Sequence, residues 1–418
     1  MASIAIIGTG ISGMGAAHLL HPHHDITVYE RAAEIGGHTR TRMVETGGVS
    51  IPVDTGFIVF NERNYPNLVG LFKQLGVPVQ KSDMTFAATI DGGAFEWCAR
   101  DLNGVFGQRR NLLNPKFYGM IRDVLRFNKH ARAMVDAAPE MTLGELVAQL
   151  KLGRGFLANY LLPMGGAIWS CSPTMMLDFP AATFVHFFEN HGLLAFSGQP
   201  QWYTVTGGSR EYVARITAAF AHKIRTNCAV VGVTRRDGKV HVRDSQGGVS
   251  VYDEVVFASH ADQTLAMLED ASAAETEILG AFSYQPNQAV LHGDASVMPR
   301  RKRCWASWVY HARTGGAEPA ISVTYWMNLL QSIDEKHLLF VTLNPLTPIA
   351  PEHVFDTHQF EHPVFTGAAM AAQRRMGELQ GINGCWFAGA YTRYGFHEDG
   401  LLSAVRVAQA MGARIPWA

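Results

Sequence analysis

The 418-residue sequence predicts an α/β fold, in which a Rossmann-like dinucleotide-binding domain is combined with a second domain of the α+β type. Three observations lead to this prediction. A short apolar strand near the N-terminus runs directly into a glycine-rich turn and an apolar helix. Similar strands recur late in the chain. The composition, 47% hydrophobic, is sufficient for more than one compact core.

The composition also limits what the protein can bind. The formal charge is −1, so the molecule as a whole is not drawn to nucleic acid, and none is expected as a partner. The five cysteines have no CxxC spacing and are odd in number, which argues against a disulfide framework and a metal site. The first residues, MASIAIIGTG, enter a strand at once, without the pattern of a signal peptide. We therefore expect a cytoplasmic protein without a bound metal.

The first element predicts a phosphate-binding turn. The strand SIAII is followed by Gly8, Gly10 and Gly13 in the order GxGxxG. Glycines at these positions let the turn close, let the backbone approach a pyrophosphate, and let the helix pack on the strand. The helix begins near Ile11 and Ser12, and its N-terminus faces the anion.

The second strand, DITVYE, predicts the contact to the ribose. It ends in Glu30, seventeen residues after Gly13, where a carboxylate can accept hydrogen bonds from both ribose hydroxyls. This favours an unphosphorylated ribose over that of NADP. Arg31 follows directly and is included in the predicted site. The alternative is that Glu30 is a solvated strand end.

The segment RAAEIGGHTRT, after the ribose carboxylate, favours FAD over NAD. NAD enzymes do not need a glycine pair there, whereas many flavoproteins with an extended FAD carry E-x5-GG followed by arginine. The sequence resembles that pattern, with histidine at the usual arginine position. Arg40 or Arg42 is expected to replace that arginine. The residues of this segment expected at the cofactor are Gly36, Gly37, His38 and Thr39.

The chain is expected to return to the nucleotide site from about residue 201. IRTNCAVVGVTRRDGKVHVRDSQGG reads as two strands around Asp237 and Gly238, with the backbone of Val230 beside the adenine. YDEVVFAS reads as a buried parallel strand that ends at Ala258, before a helix. The FAD-binding domain is accordingly predicted at 1–80, 201–265 and 380–418.

The glycine-rich segment CWFAGAYTRYGFHEDGLL is predicted to complete the site. Its strand leads to Gly389 and Ala390, which are expected to pass close to the ribityl phosphate. A helix is expected from Gly400, and its free N–H groups, with that of Leu401, would face the flavin and stabilise the charge of its reduced form.

The rest of the chain, 81–200 and 266–379, is predicted to form the substrate domain. An amphipathic segment from Pro115 carries an apolar face and a basic face, typical of a surface helix or of a helix that touches an anionic membrane. The residues of the apolar face are Phe117, Met120, Ile121, Val124 and Leu125. From about residue 281 the chain is rich in aromatic residues within strand-like runs, namely Tyr284, Trp305, Trp308, Tyr310, Tyr325 and Trp326. These residues could line an apolar cavity or form a core.

Several further segments place the chain in a family. IIGTGISGMG, IGGHT, DTGFIVFNERNYPNL, PQWYTVTGGSREYV and FAGAYTRYGFHEDGL resemble those of the flavin-containing amine oxidase superfamily. More narrowly, the chain resembles FAD-binding proteins associated with cyclopropane-fatty-acid-synthase-like methyltransferases, including the flavoprotein region of plant cyclopropane fatty acid synthases. The resemblance implies non-covalently bound FAD, a second domain over the flavin ring, and hydride transfer to flavin N5. It also implies that Thr55, Gly56 and Phe57 approach the flavin.

The resemblance leaves three functions open. The first is desaturation of a methyl-branched, unsaturated fatty acyl chain, as in furan fatty acid formation. It would involve a cyclopropane-synthase-like methyltransferase as a partner and peripheral contact of the protein with the membrane. The second is amine oxidation, but Phe396 stands where the amine cage has a tyrosine, and LHGDASVMP lacks the expected lysine. The third is a non-catalytic flavoprotein that assists a lipid methyltransferase.

The candidate catalytic residues fall in two groups. One group clusters in the C-terminal motif, and the other comes from segments expected to wall the cavity. Each has a structural alternative, as a core residue or as a hydrogen-bond acceptor. The candidates are Tyr391, Tyr394, His397, Glu398, Asp399, Trp169, Trp202, Tyr325 and Asn328.

Overall fold

A computed structural model describes residues 1–169, 176–190, 194, 199–314 and 320–417, and the side chains of residues 167–169 and 190 are outside that description. The strands are β1 (Ser3–Ile7), β2 (Asp25–Tyr29), β3 (Thr41–Thr46), β4 (Val49–Asp54), β5 (Val59–Asn61), β6 (Val79–Ser82), β7 (Phe86–Ile90), β8 (Phe95–Cys98), β9 (Trp202–Val205), β10 (Ile224–Arg225), β11 (Val230–Arg236), β12 (Lys239–Asp244), β13 (Val249–Tyr252), β14 (Glu254–Phe257), β15 (Ser283–His292), β16 (Trp308–Arg313), β17 (Ala320–Trp326), β18 (Phe340–Leu343), β19 (Val354–Val364) and β20 (Cys385–Phe387).

The helices lie between these strands. They are α1 (Ile11–Leu20), α2 (Pro66–Leu75), α3 (Leu102–Val105), α4 (Pro115–Ala137), α5 (Leu143–Gln149), α6 (Arg154–Phe156), a π-helical turn (Leu157–Leu161), α7 (Leu162–Trp169), α8 (Ala181–Asn190), α9 (Arg210–Thr217), α10 (Ala261–Met267), α11 (Ala273–Gly280), α12 (Met327–Leu330), α13 (Gly367–Arg375) and α14 (His397–Ala410). None of the described helices is both long and apolar enough to cross a membrane.

A five-stranded parallel sheet, in the order β10-β2-β1-β14-β20, forms the nucleotide-binding part of the fold. Its central strand is apolar on both faces, as expected of a parallel sheet covered on both sides. Ile4 and Ile6 pack against α1 and α14, whereas Ala5 and Ile7 pack toward the β11–β13 sheet. The predicted strands from Ser3, Asp25, Glu254 and Cys385 are therefore all present, in one sheet.

An antiparallel sheet covers one side of the nucleotide-binding sheet. Strands β11, β12 and β13 pair in sequence order, with the turn between β11 and β12 at Asp237 and Gly238, as predicted. Gly238 has a φ of +69°, which glycine adopts without strain. The predicted hairpin is therefore confirmed.

A seven-stranded sheet, in the order β19-β15-β18-β17-β16-β7-β8, lies opposite the nucleotide-binding sheet. Helices α4 to α8 pack over its β7 and β16 strands and form the largest apolar core, with Phe117, Phe127, Phe156 and Phe184 buried in it. Together with the parallel sheet, this gives the predicted combination of a Rossmann-like and an α+β architecture. The domain boundaries themselves stay a prediction.

The predicted amphipathic helix is α4. Asn114 caps its N-terminus by accepting a hydrogen bond from the backbone N–H of Lys116, and Pro115 occupies the first turn. Its buried stripe follows the 3.6-residue period and includes Phe117, Met120 and Val124, as predicted. Leu125 differs from the prediction, because it lies one position beyond this stripe and is 51% exposed.

The cysteines are dispersed through the fold. Cys98, Cys228, Cys304 and Cys385 are free and buried. Cys171 lies outside the described residues.

Candidate functional site

A cavity of about 730 Å³ lies where the carboxyl ends of the parallel strands face the seven-stranded sheet. Ligands bind in open α/β sheets at this edge. Most residues predicted to hold the cofactor line this cavity: Gly8, Gly10, Ile11, Ser12, Glu30, Arg31, Gly37, His38, Thr55, Gly56, Phe57, Val230, Ala258, Gly389 and Ala390. Segments far apart in the sequence are thus brought to one site.

The three glycines of the first turn have different tasks. A Cβ on Gly8 would lie 2.8 Å from the carbonyl oxygen of Ala258, and one on Gly13 would lie 1.8 Å from that of Gly8. Gly13 does not line the cavity, so it serves the packing of the turn rather than ligand contact. A Cβ on Gly10 would meet no described atom within 4 Å, so the backbone here is open to a ligand.

Helix α1 begins at this turn and presents unpaired donors to the cavity. Its first internal hydrogen bond runs from the N–H of Met14 to the carbonyl of Gly10, over 2.9 Å. The N–H groups of the preceding turn have no carbonyl partner within the helix. With the helix dipole, they favour an anion at Ser12 and Gly10, which both line the cavity.

Glu30 is held in place at the predicted ribose position. Its carboxylate accepts hydrogen bonds from the backbone N–H of Thr9, over 3.0 Å, and from that of Ala32, over 2.9 Å. The side chain is 9% exposed and lines the cavity beside Arg31. An ionised carboxylate has more acceptor sites than these contacts use, so ribose hydroxyls can still bind to it.

Two residues of the segment that contains the glycine pair line the cavity, and two do not. Gly37 and His38 line the cavity, whereas Gly36 and Thr39 do not. The N–H of Gly36 donates to Oγ1 of Thr9 over 3.2 Å, and the hydroxyl of Thr39 is hydrogen-bonded to that of Tyr212. Direct cofactor contacts by Gly36 and Thr39 are therefore corrected to supporting roles.

The arginine that was expected to replace His38 is not found at the site. Arg40 is paired with Asp356 over 2.5 Å, and Arg42 is paired with Glu34 over 2.8 Å. Neither arginine lines the cavity. His38 itself lies there with its Nε2 buried and unpaired, and burial lowers its pKa well below the usual value. A neutral imidazole thus replaces the expected cation.

The C-terminal helix starts earlier than predicted. α14 begins at His397, and the N–H of Gly400 already donates to the carbonyl of Phe396, over 3.1 Å. Gly400 and Leu401 pack against α1 and do not line the cavity. The expected role of their N–H groups is therefore wrong, and the unpaired N–H groups of the helix belong to its first turn, from His397.

His397 is fixed by two aromatic neighbours. Its ring stacks on that of Phe57, with 3.9 Å between centroids, and its Nε2 lies 2.6 Å from the hydroxyl of Tyr212. Burial lowers the pKa of His397 to about 3, so the ring is neutral at physiological pH. The structure brings His397 to the cavity, as predicted.

Other candidate catalytic residues also reach the cavity. Trp202, Tyr325, Tyr391 and Tyr394 line it, and burial raises the pKa of Tyr325 and of Tyr391. The Tyr391 hydroxyl is buried without a protein partner. Of Trp169, only the backbone is described, so its predicted contact lies outside the described part of the structure.

Three candidates are directed away from the cavity. The carboxylate of Glu398 accepts hydrogen bonds from the N–H groups of Asn67 and Leu68, both over 3.0 Å, and so caps α2. Asp399 accepts from the N–H of Phe396, over 3.0 Å, at the start of α14. Asn328 bonds several backbone groups of the loop after α12. The catalytic roles expected of these residues are corrected to structural ones.

One side of the cavity, which we call the apolar wall, has a signal in the sequence at only two residues: Trp308, among the aromatic residues after residue 281, and Phe396, at the cage position. It comprises Met84, Phe86, Met164, Phe187, Trp308 and Phe396. Phe187 stacks on Phe396 with 4.9 Å between centroids, and Trp308 pairs with Phe86 across β16 and β7. These residues come from five separate segments, and only an alternating strand pattern could have indicated Phe86. Of the aromatic residues left open between cavity and core, Tyr284 also lines the cavity, whereas Tyr310 is core.

Charge is unevenly distributed around the cavity. Among the described residues, the side chains that carry a charge at this cavity are Glu30, Arg31 and Glu361. The first two lie at the ribose position, and Glu361 lies 3.5 Å from Nδ1 of His260. The apolar wall has no ionisable side chain. The cavity therefore has a polar side near the glycine turn and an apolar side.

The residues present fit an extended FAD. Gly10 leaves open space at the start of α1, where a pyrophosphate can be held, and Glu30 stands where a ribose would lie. Three residues that line the cavity each have a buried polar atom to which no described protein group is hydrogen-bonded: Nε2 of His38, Nε1 of Trp308 and the hydroxyl of Tyr391. Buried polar groups are nearly always hydrogen-bonded, so these atoms are suited to a polar ligand.

Comparisons with known proteins agree with this fit. The sequence model of the family described as "Flavin containing amine oxidoreductase" matches residues 11–412. No curated protein matches the sequence. A fatty acid isomerase from P. acnes, described as CLA-producing, has 15% identity and a TM-score of 0.67, with 98% of each chain covered. Cyclohexylamine oxidase from Brevibacterium oxydans also has 15% identity and a TM-score of 0.67, with 98% of this chain and 99% of that chain covered.

Proposed function

The chain belongs to the family of flavin containing amine oxidoreductases, and we propose that it desaturates a fatty acyl chain that is methyl-branched and unsaturated. It is an FAD-dependent oxidoreductase of that family. The narrower proposal, on the substrate, rests on one observation, the apolar wall. An acyl chain needs an apolar surface of this kind and no charged partner.

The arrangement of the wall favours an acyl chain over an amine. Phe187 and Phe396 stack on each other, at 4.9 Å and 18° between their planes. Their facing surfaces are thus already in contact, so they cannot hold an amine between them. The wall also carries no carboxylate to attract an ammonium group. The fatty acid isomerase, whose fold this chain shares, supports the view that such a fold accepts an acyl chain.

Each side of the cavity then has its own task. Bound FAD supplies the acceptor for the two electrons that leave the acyl chain. The turn at Gly10 and the start of α1 bind its pyrophosphate, and Glu30 binds its ribose. His38 offers Nε2 to the cofactor as a neutral group. The apolar wall orients the acyl chain and excludes water, which keeps the reaction from solvent.

A methyltransferase of the cyclopropane-synthase type is proposed as the supplier of the substrate. The methyl-branched, unsaturated chain must be made by a reaction that adds one carbon to an unsaturated acyl chain. Lipids from cells with and without such a methyltransferase therefore differ in the proposed substrate.

The test is anaerobic mixing of the yellow holoprotein with lipids and with amines, followed through the flavin absorption. We expect bleaching by lipid extracts that contain methylated unsaturated acyl chains, weak bleaching by extracts made without the methyltransferase, and none by simple amines. Rapid bleaching by amines would replace the proposal by amine oxidation. No bleaching by either would favour a non-catalytic flavoprotein.

A variant of the wall sharpens this test. Phe86→Asp places a charge on the apolar wall, and we expect it to abolish bleaching by the lipid while FAD stays bound. Phe355→Asp is the matched control, because Phe355 is 43% exposed and does not line the cavity. Unchanged bleaching in Phe86→Asp would contradict the acyl assignment.

A further inference from the structure

A second concave surface, of about 810 Å³, lies away from the cofactor cavity and is lined mainly by cations. Its charged residues come from two segments of the chain. They are Arg109, Arg110, Arg301, Lys302 and Arg303, and none of the described residues that line this surface carries a carboxylate. We call the four cations Arg109, Arg110, Lys302 and Arg303, all exposed, the basic face. The whole molecule has a formal charge of −1, so this is a local concentration of charge.

The loop that carries half of this face is held firmly. Gln108 and Asn111 are each 1% exposed, and Gln108 bonds the carbonyl of Ala94 over 3.0 Å and the N–H of Glu96 over 3.1 Å. The polar side chains of Gln108 and Asn111 thus point inward. The two arginines between them are exposed, and they donate to the carbonyl oxygens of Phe106 and Ala94, which do not compensate their charge. The cations are therefore presented by a fixed backbone rather than by a loose tail.

The other half is fixed through a buried carboxylate. Glu96 is fully buried, and its carboxylate accepts hydrogen bonds from the N–H of Arg300, over 2.8 Å, and from Nη1 of Arg301, over 2.7 Å. Since the carboxylate of Glu96 is paired with Arg301, it does not neutralise the charges of the neighbouring Lys302 and Arg303. Lys302 has one distant carboxylate partner, Glu335, at 3.8 Å.

Apolar side chains project beside these cations. Leu113 is 90% exposed and Leu102 is 78% exposed, and both belong to the segment that contains Arg109 and Arg110. Leu112 and Tyr118 are also partly exposed, at 45% and 47%. Leucines exposed to this extent, on both sides of Arg109 and Arg110 in the sequence, offer apolar surface to an interaction partner.

We propose that the basic face and these leucines form a docking surface for a lipid bilayer that contains anionic lipids. Cations attract the negative headgroups, and leucines gain by entering the boundary between headgroups and acyl chains. A soluble anion or a nucleic acid would need the cations but not Leu102 and Leu113. The surface does not depend on the identity of the substrate, so it can be tested apart from the proposed function.

This surface differs from the membrane contact that the amphipathic pattern of α4 suggests. Arg132, on the C-terminal half of α4, is paired with Asp136 over 2.7 Å and also contacts Glu189. The charge of Arg132 is thus compensated by carboxylates, unlike the charges of Arg109 and Arg110, whose contacts include carbonyl oxygens of the backbone. None of the four cations of the basic face belongs to α4: Arg109 and Arg110 precede it in the sequence, and Lys302 and Arg303 follow it.

The test is sedimentation of the holoprotein with vesicles of phosphatidylcholine, with or without 30% phosphatidylglycerol, at about 0.1 M salt. We expect binding only to the vesicles with phosphatidylglycerol, and loss of binding at 0.5 M salt. Removing one cation should weaken binding about fivefold. The quadruple variant Arg109→Ala, Arg110→Ala, Lys302→Ala and Arg303→Ala should therefore lose binding.

The matched control removes four cations from other exposed positions, with Arg63→Ala, Lys73→Ala, Arg236→Ala and Arg374→Ala, and should bind like the wild type. Leu113→Ser keeps every charge, and we expect it to weaken binding about tenfold. Equal binding to both kinds of vesicle, or unchanged binding by the quadruple variant, would overturn the proposal. Full binding by Leu113→Ser together with Leu102→Ser would mean that the cations act alone and that the leucines do not enter the bilayer, and it would also overturn the proposal.

Discussion

The ring of His397 lies face to face with that of Phe57, with planes 12° from parallel and centroids 3.9 Å apart. This contact joins the loop after β4 to the start of α14, and both residues line the cofactor cavity. The hydroxyl of Tyr212 is hydrogen-bonded to Nε2 of this imidazole, over 2.6 Å. The same hydroxyl bonds Thr39, so it connects three segments of the site.

Tyr212→Phe should therefore destabilise the protein without changing its shape. It leaves Nε2 of His397 and the hydroxyl of Thr39 without this partner, and buried groups deprived of a partner cost about 1–3 kcal/mol. We expect that loss in the free energy of unfolding measured with urea. Tyr203→Phe is the control, since the Tyr203 ring packs on Phe60 at 6.0 Å and the residue is half-buried. Equal stability of Tyr212→Phe and wild type would show that the contact to His397 contributes nothing.

Gly10→Ala and Gly13→Ala should fail in different ways. A Cβ added at Gly10 would meet no atom of the described residues within 4 Å, and Gly10 has an ordinary φ of −62°, so the variant should fold. That Cβ would occupy the space proposed for the pyrophosphate, so FAD should be lost during purification. A Cβ added at Gly13 would collide with the carbonyl oxygen of Gly8 at 1.8 Å, so this variant should be misfolded or poorly expressed.

The readouts for this pair are the absorption ratio of flavin to protein and the circular dichroism spectrum. A Gly10→Ala protein that retains full flavin occupancy would contradict the placement of the pyrophosphate. A stable Gly13→Ala protein would contradict the packing of the turn.

Glu30→Ala should weaken the binding of FAD. Hydrogen bonds to a charged group contribute about 1.5–3 kcal/mol, which corresponds to roughly 10–100-fold in the dissociation constant. The constant can be measured by titrating the deflavinated protein with FAD. Thr9→Val is an informative control, because it removes the hydroxyl that bonds Glu30 and leaves the carboxylate in place. If both variants weaken binding equally, the carboxylate acts through the turn and not through the ribose.

Glu398→Ala should affect stability rather than turnover. The carboxylate caps α2, whose own N-cap residue, Tyr65, provides no side-chain hydrogen bond. Removing it leaves the N–H groups of Asn67 and Leu68 unpaired, at a cost of about 1–2 kcal/mol. A thermal denaturation experiment should show this loss, with part of it restored in Glu398→Gln. A lower rate of flavin reduction with unchanged melting temperature would reassign Glu398 to catalysis.

The stability of the protein should fall in mild acid, in part through His292. This residue is fully buried, and burial lowers its pKa to about 4. The N–H of Asp294 donates to its Nδ1 over 3.2 Å, so Nε2 carries the proton toward Thr342, over 2.8 Å. Below pH 6.5 the unfolded chain binds a proton that the folded protein does not bind until about pH 4. Stability is therefore complete above pH 6.5 and decreases as the pH falls, by about 3 kcal/mol for this group.

The measurement is the free energy of unfolding of wild type and His292→Leu between pH 7 and pH 4.5. We expect the wild type to be the more stable at pH 7 and its advantage to shrink with decreasing pH. His222→Leu, at an exposed position, should show a constant difference from the wild type. A difference between wild type and His292→Leu that does not change with pH would mean that folding leaves the pKa of His292 unchanged.

Local patterns allowed the nucleotide side of the molecule to be predicted. The turn at Gly8 and Gly10, the carboxylate of Glu30 and the strands of the parallel sheet all follow from short segments, because the geometry of a GxGxxG turn is determined within the segment. The C-terminal helix was predicted to start three residues late, since the polar residues before Gly400 read as a loop. Helix boundaries are the least certain part of such a pattern.

Long-range contacts could not be predicted in the same way. Glu398 and Asn328 are polar residues in motifs near the site, but their partners lie elsewhere in the chain or on a loop backbone. The pairing of Arg40 with Asp356 joins β-strand segments far apart in sequence. The apolar wall likewise depends on how five segments meet. A sequence pattern shows which side chains are apolar, but not which of them face a cavity.

The order of strands in the parallel sheet has a consequence for how the protein acquires its cofactor during synthesis. The glycine turn leaves the ribosome early, whereas its neighbours β14 and β20 follow hundreds of residues later. Domains form as units once their segments are available, and contacts of long sequence separation form slowly. Until β20 and α14 have been synthesised, the nascent chain exposes the edge of β14. We therefore expect FAD to bind only late in synthesis. A shortage of flavin would then leave this chain without its cofactor and exposed to proteolysis.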